Sequence, residues 1–429
     1  MAHLSIESSN PNFSYIINKN PANSAFSKEI RQGNEIGWFP PGNNQKYCVR
    51  FVDPPQKMSY NKAEFEYLDV TALSSPAAYS NLIREFFNSL LKKESEFDKV
   101  DNDFHKIELG FVKCSKRNLE HFTKFFACQV TYEEKAKNTY KVTFYYNQPH
   151  SLRQTLHLAN LFCVFMMVAD KEEDIHITED IINKYLTSIK EVKCPYYIAN
   201  LFKVQFLTTK ALFNKFAPIL QEACTENVTF EFGSTQVARQ RWIESNLTIK
   251  NNIVDIGAGE DFNYAYLSRN ISGIYYPVDR DEAARKSITK KTEYKKFDKV
   301  ADPVSDWNEI KDLLDSDTEV ILTEVLEHNT LKEAKALLAE VLGHPCVKRV
   351  LITIPWMPFN QYYLLDTEFR HDDHKWEADS GVLIDRYKLL DVYHCNKDFN
   401  VQFANIGDLI IDANQLQHSP TIGIIIEKV

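Results

Sequence analysis

From Ile253 onward the sequence alternates short apolar runs with helix-forming stretches, and this alternation limits the fold more than any other feature of the chain. Residues 253–256, 274–278, 294–300, 320–322 and 349–354 read as strands. Segments near 262–268 and at 281–288, 304–314 and 331–342 read as helices, the last ending at Gly343. Strands separated by helices cannot pair as hairpins; they pair in parallel and place their helices on the two faces of the sheet. The expected class for this half is α/β, a doubly wound parallel sheet. A helix near 385–393 follows, then two strands, 401–406 and 422–426, which suggest an antiparallel edge hairpin.

In open α/β sheets ligands bind beyond the carboxyl ends of the strands. T-E-V-L-E-H, Thr323 to His328, stands there, between strand 320–322 and helix 331–342. If the helix has already begun, spacings of three and four put Glu324, Glu327 and His328 on one face. Two carboxylates and an imidazole make an incomplete site for a hard or borderline divalent ion. The plainer reading is a solvated helix start, since acids favour the first turn. The segment after the next strand, F-R-H-D-D-H-K-W-E, tips the balance: His371 and His374 reach the same sheet edge if the two strands are parallel neighbours.

V-D-I-G-A-G-E-D, Val254 to Asp261, follows the first strand of this half. Gly257 and Gly259 allow a tight turn and close approach of a ligand to the backbone. Phe262 stands where a dinucleotide fingerprint would have its third glycine. The next strand ends at Asp279, at about the distance, roughly 20 residues, where an acid grips ribose hydroxyls. This combination suits a nucleoside cofactor without a pyrophosphate, such as S-adenosylmethionine; the plainer alternative is a structural turn and a helix N-terminal acid.

The first 225 residues carry strands at 46–52, 106–112 and 140–146, helices at 80–92, 151–168 and 178–190 with Thr178 as N-cap, and turn punctuation at 36–44. They form an expected α+β domain with no catalytic constellation. His105, His121, His150 and His157 are dispersed and read as surface or satisfied core residues, while Trp38 and Phe39, beside two prolines, read as exposed interface aromatics. Domains are expected at 1–225 and 226–429. The eight cysteines include no C-x-x-C pair, the start lacks a signal-peptide pattern, and no apolar run was expected to span a membrane, all consistent with a cytoplasmic protein. With a net charge of −9, RNA contact requires a local patch; Arg280, Arg285, Lys290 and Lys291, with Arg241 in the preceding helix, offer one, and a solvated helix face is the alternative.

Q-V-A-R-Q-R-W, D-I-G-A-G-E, E-V-L-E-H and F-R-H-D-D-H-K-W-E together resemble the RNA 3′-terminal ribose 2′-O-methyltransferase family, the small-RNA methyltransferases and their bacterial RNA-repair relatives. The stretch from Phe13-Ser14-Tyr15 through Leu152 to Tyr185 resembles the N-terminal domain of the bacterial members. The resemblance implies a Rossmann-like methyltransferase domain at the C-terminus, with a metal on Glu324, Glu327, His328 and His374. It implies S-adenosylmethionine at Asp255, Gly257 and Asp279, with the adenine-side segment at 295–302 placing Asp302 at the cofactor. It also implies an N-terminal domain that activates the ligase of a partner polynucleotide kinase–phosphatase–ligase. The chain departs from the family at Ala258, Trp356 and Pro358, and keeps Asn360.

The chemistry is coherent. A divalent ion, manganese or alternatively magnesium or cobalt, lowers the pKa of a ribose hydroxyl and orients it. Only a free RNA 3′ end offers a vicinal diol. His328 and His371 are the candidate catalytic histidines, His371 taking the proton or supporting a ligand. The rival readings are a metal-dependent hydrolase and a ligase-activating scaffold whose methyltransferase half is inactive or accessory.

Overall fold

The computed structural model describes residues 3–23, 25–30, 33–52, 74–127, 129–170, 177–248, 252–260, 264–363, 365–385 and 389–429. Cys128, Phe262 and the middle of the helix expected at 385–393 lie outside them. The chain divides into two units, Met1–Thr225 and Glu226–Val429.

In the first unit, β1 (His3–Ser8), β2 (Phe26–Ile30), β3 (Gly33–Trp38), β4 (Lys46–Val52), β5 (His105–Lys113), β6 (Val130–Ala136) and β7 (Thr139–Tyr145) form one antiparallel sheet, ordered β2-β3-β4-β1-β5-β7-β6. β7 alternates buried and half-buried residues, so Tyr140, Val142 and Phe144 point to one face. Helix α1 (Pro76–Lys92) starts where Ser75 accepts the Ala78 N–H at 3.2 Å, with proline pre-set at its first position. Helix α2 (Leu152–Asp170) packs on α1, β5 and β7 and is buried from Leu152 to Val168 apart from Gln154. Each fully buried Leu or Phe there contributes about 1.5–3 kcal/mol. Helix α3 (Glu179–Val192) begins at Thr178, which accepts the Ile181 N–H at 3.3 Å.

Three expectations for this unit change. The turn expected at 36–44 begins later, because β3 runs through Trp38 in register with Cys48. Phe39 is not exposed: it packs edge-on against Phe13 and Tyr47. Finally, Leu152–Asp170 is long and apolar enough to cross a membrane, the one such helix among the described residues, but its apolar faces are buried inside the protein. The four dispersed histidines are all buried; His105 meets Ser8 at 2.9 Å and His157 meets Ser188 at 3.0 Å.

In the second unit, β8 (Asn227–Thr229) precedes helix α4 (Thr235–Asn246), which Ser234 caps. The main sheet contains β9 (Asn252–Ile256), β10 (Tyr275–Val278), β11 (Thr318–Thr323) and β12 (Val347–Pro355), then β13 (Phe399–Ile406) and β16 (Thr421–Lys428). Between those last two, β14 (Leu409–Ile411) and β15 (Gln417–His418) leave to form a small sheet with β8. The main order is β10-β9-β11-β12-β16-β13, parallel from β10 to β12 and antiparallel on both sides of β16. This is the expected Rossmann-like α/β sheet with an antiparallel pair at one edge. β9 starts the series yet has neighbours on both sides, so the strand order reverses there, at the usual ligand crevice.

Several element expectations fail, each for a local reason. The helix expected at 281–288 continues as α5 (Glu282–Lys295) and ends at Lys296 in the left-handed region, φ 53°. Its composition is strongly helix-favouring and Ile288 is buried, so the strand expected at 294–300 shrinks to single bridges from Val300 to Tyr275 and from Val304 to Val278. The helix expected at 304–314 is two separate 3₁₀ turns, Trp307–Glu309 and Lys311–Leu313, with Trp307, Ile310 and Leu314 anchored in the core. Only Asp391–His394 is α-helical in the region expected at 385–393. Helix α6 (Leu331–Gly343) matches, and Thr330 with Glu333 closes a reciprocal capping box at its start.

Candidate active site and metal centre

That cap fixes the local geometry of T-E-V-L-E-H. Because α6 begins only at Leu331, Glu324, Glu327 and His328 do not share a helix face as expected. Glu324 takes a left-handed φ of 54°, and Leu326–His328 is a separate 3₁₀ turn whose Leu326 enters the core. In this tighter turn the two glutamates meet different surroundings. Glu324 meets Arg239 of α4 at 2.8 Å and Thr353 of β12 at 3.3 Å. Glu327 turns inward and is 0% exposed.

Glu327, His328 and His374 converge, each offering a ligand atom within 4.8 Å of the others. Glu324, paired with Arg239, is not in that group. Neither carboxylate oxygen of Glu327 has a hydrogen-bond partner among the described residues. Burial first, and the nearby Glu324 second, push its pKa well above the carboxylate range. A buried carboxylate with both oxygens unsatisfied is expensive, and a cation in the cluster would satisfy it. The donor set, one carboxylate and two imidazoles, fits such an ion.

The two histidines of the cluster are each held through one ring nitrogen. His374 Nδ1 meets Glu377 Oε1 at 2.8 Å, and His328 Nδ1 meets Asp373 Oδ2 at 3.0 Å, so each ring leaves Nε2 for a ligand. Burial lowers the pKa of His328 despite Asp373, favouring the neutral ring a metal requires. Glu377 is in turn pinned by Asn360 Nδ2 at 2.7 Å and the Arg370 N–H at 2.7 Å. Burial raises its pKa, but the hydrogen bonds from His374, Arg370 and Asn360 outweigh that and hold it below the ordinary range. Arg370 also donates to Asn360, Trp356 and Pro420, tying the histidine loop to the end of β12. The family departures at Trp356 and Pro358 therefore leave this framework intact: Trp356 contributes its carbonyl and Asn360 is kept. The Lys375 N–H donates to the Glu327 carbonyl and Trp376 Nε1 to the Asn329 carbonyl, joining the two loops directly. His371 is exposed, with its ring 5.1 Å from that of His374.

Beside this cluster is a cavity of about 510 Å³ whose lining includes Gly257, Asp279, Trp307, Glu324, His328 and Asp373. Gly257 has φ 76°, and a Cβ there would lie 2.4 Å from Val325, so only glycine lets the β9 loop pass the T-E-V-L-E-H loop. Gly259, φ 66°, donates its N–H to Asp279 Oδ2 at 2.8 Å. Asp255 is apart from the cavity: it is fully buried, accepts a hydrogen bond from the Tyr275 hydroxyl, and has its pKa pushed to about 7 by burial. Asp302 is exposed and does not line the cavity, where Ser305, Asp306 and Trp307 form that wall instead. The size and the glycine-made clearance fit a nucleoside-sized cofactor.

Of the basic residues, Arg280 lines the cavity and donates to Asn329 at 3.1 Å, while Arg285 donates to the carbonyls of Asp279 and Arg280. Arg241 is held by Glu231 and the Phe232 carbonyl. Lys290 is exposed, and Lys291 donates to the Glu260 carbonyl at 2.5 Å. The sequence reading missed Arg239, Asn329, Asp373 and Glu377. Only Glu377 left a signal, an acid three residues after His374.

Comparison with known proteins agrees with this architecture. The family model for the Hen1 N-terminal domain matches residues 3–225. A chain from a Pnkp1/Rnl/Hen1 RNA repair complex is 23% identical and aligns over 99% of this chain and 100% of its own, with a TM-score of 0.79. A chain from another Pnkp1/Rnl/Hen1 complex is 22% identical over 100% of both, with a TM-score of 0.78. At these identities the likeness establishes a shared fold. No curated protein matches the chain. With over half of its length matched by that family model, the chain belongs to the Hen1 N-terminal domain family.

Proposed function

We propose that the protein transfers a methyl group from S-adenosylmethionine to the 2′-hydroxyl of the 3′-terminal ribose of RNA, with a divalent metal, as part of RNA repair. The observation that carries this is Glu327: a buried carboxylate with no hydrogen-bond partner among the described residues, beside two imidazoles whose other nitrogens rest on carboxylates. A cavity of nucleoside size opens at the same strand ends. The likeness to chains from RNA repair complexes supports the biological setting.

Glu327, His328 and His374 would hold the metal; Glu324 can join only by leaving Arg239. Bound there, the ion would lower the pKa of the ribose hydroxyl and orient it. Asp373 and Glu377 keep the ligand rings aimed. His371, exposed beside His374, takes the hydroxyl proton as the oxygen gains the methyl group and the sulfonium becomes a thioether. Asp279 and the Gly257–Gly259 turn hold the nucleoside end of the cofactor, while Arg280, Lys290 and Lys291 meet RNA phosphates. The N-terminal unit binds and activates a partner polynucleotide kinase–phosphatase–ligase.

The deciding assay is methyl transfer to a short RNA carrying either a 3′-terminal diol or a 3′-phosphate. Transfer to the diol alone is expected; equal transfer to both would overturn the terminal specificity. A second expectation concerns the cofactor. Asp279→Ala removes a carboxylate that also orders the Gly259 and Asp281 N–H groups. It is expected to weaken S-adenosylmethionine binding by about 1.5–3 kcal/mol in calorimetry. Unchanged affinity would leave Asp279 as a loop brace only.

A further inference from the structure

The N-terminal unit contains a larger cavity, about 740 Å³, that the methyl-transfer reading does not use. Its rings come from separate elements: Phe26 on β2, Trp38 and Phe39 at the end of β3, Tyr15 before them, and Phe97 after α1. Tyr15 and Phe97 are 69% and 38% exposed and lie 5.5 Å apart at the mouth, and Phe26 is 45% exposed. Lys19 lies 5.2 Å from the centre of the Phe26 ring and 5.7 Å from that of Phe86, with no carboxylate paired to it among the described residues. Tyr47 also lines the cavity, 2% exposed, and its buried hydroxyl has no hydrogen-bond partner among the described residues. A Cβ at position 37 would lie 2.3 Å from that hydroxyl, so Gly37 is what leaves it room.

These three features narrow the occupant. Exposed rings around a cavity offer stacking faces rather than a closed core. The unpaired Lys19 disfavours a cationic guest and attracts an anion. The Tyr47 hydroxyl requires a polar edge within the apolar walls, because a buried hydroxyl without a partner is costly. An apolar peptide segment would cover the rings but leave both Lys19 and Tyr47 unsatisfied. An aromatic base carrying a phosphate answers all three, and the amides of Asn18 and Asn23 at the rim can pair with base edges. We propose that this cavity is a nucleotide-binding site, in which a base stacks on the aromatic walls, meets Tyr47, and places its phosphate at Lys19. The nucleotide is either free or one unit of a single-stranded RNA. The inference is independent of the methyl-transfer reading.

The test uses the full chain, with and without added S-adenosylhomocysteine, so that any binding in the C-terminal cavity is read separately. It is titrated with AMP and, separately, with a short single-stranded oligoadenylate ending in a 3′-phosphate. Lys19→Gln is expected to weaken binding at least about tenfold, the size of one lost charge-assisted contact, and Tyr47→Phe about threefold to tenfold. Lys19→Arg, which keeps the charge, should retain binding, and no variant should have a lowered unfolding midpoint. Binding of AMP supports a free-nucleotide site; binding of the oligonucleotide alone supports an RNA site. Failure of both ligands to bind at millimolar concentration would overturn the proposal. So would affinities that none of the variants alters, or variants that impair only the capture of a partner ligase.

Discussion

Glu327→Ala or His374→Ala is expected to abolish methyl transfer, by more than about 100-fold, while S-adenosylmethionine affinity stays within about twofold. Substitution of groups that merely support a ligand already costs about 10–100-fold, so loss of a ligand should exceed that. The cofactor should be spared because Glu327 and His374 do not line the cavity with Gly257 and Asp279. A measurement without metal separates this from simple misfolding. The Glu327 carboxyl is buried, and neither oxygen has a hydrogen-bond partner among the described residues. Deleting it should therefore leave the metal-free protein at least as stable, since burying a carboxyl group without a hydrogen-bond partner opposes folding. Added manganese should raise the unfolding midpoint of the parent protein and not that of Glu327→Ala, because only the parent binds it in the folded state. Retained activity in either variant in the presence of a chelator would remove the metal from the mechanism.

The expected C-terminal sheet was legible because β9, β11 and β12 are short apolar runs bounded by helices, and parallel strands need no partner signal beyond that. The strand expected at 294–300 failed for a physical reason. Lys295-Lys296-Phe297 carries no alternation, and the helix that begins at Glu282 has no stop signal before it. The two turns around Trp307 were unreadable because 3₁₀ turns and short helices share the same apolar spacing. At the site, residue types were legible and geometry was not. E-x-x-E-H announced carboxylates and an imidazole, but the positive φ at Glu324 depends on the Thr330 cap and on space beside Gly257, neither local to the motif. Whether Glu324 or Glu327 faces the histidines followed from Arg239, 85 residues upstream of the nearer glutamate. In the N-terminal unit the sequence marked Trp38 and Phe39 as a pair, although adjacent residues on a strand end point opposite ways. Both reach the cavity, but Trp38 is half-buried whereas Phe39 is buried against Phe13 and Tyr47.

The two units are expected to work when separated. Residues 226–429 should methylate RNA without a partner, and residues 1–225 should bind the RNA-repair ligase, stimulate its sealing step and bind no S-adenosylmethionine. Each unit has its own sheet: seven antiparallel strands in the first, and a six-stranded mixed sheet in the second. Each also has its own core, the first built on the buried helix Leu152–Asp170, the second on β9, β11 and β12. Every residue proposed for methyl transfer lies beyond Glu226, from Arg239 to Glu377. The boundary falls between Ala223, which closes a helix, and Asn227, which begins β8, so a cut there removes no strand from either main sheet. The halves should be expressed separately, and ligation assayed with the first and methyl transfer with the second. Ligation that requires residues 226–429, or failure of residues 1–225 to co-purify with the ligase, would sink this division of labour. Methyl transfer that requires residues 1–225 would instead mean that the N-terminal unit presents the RNA to the C-terminal site.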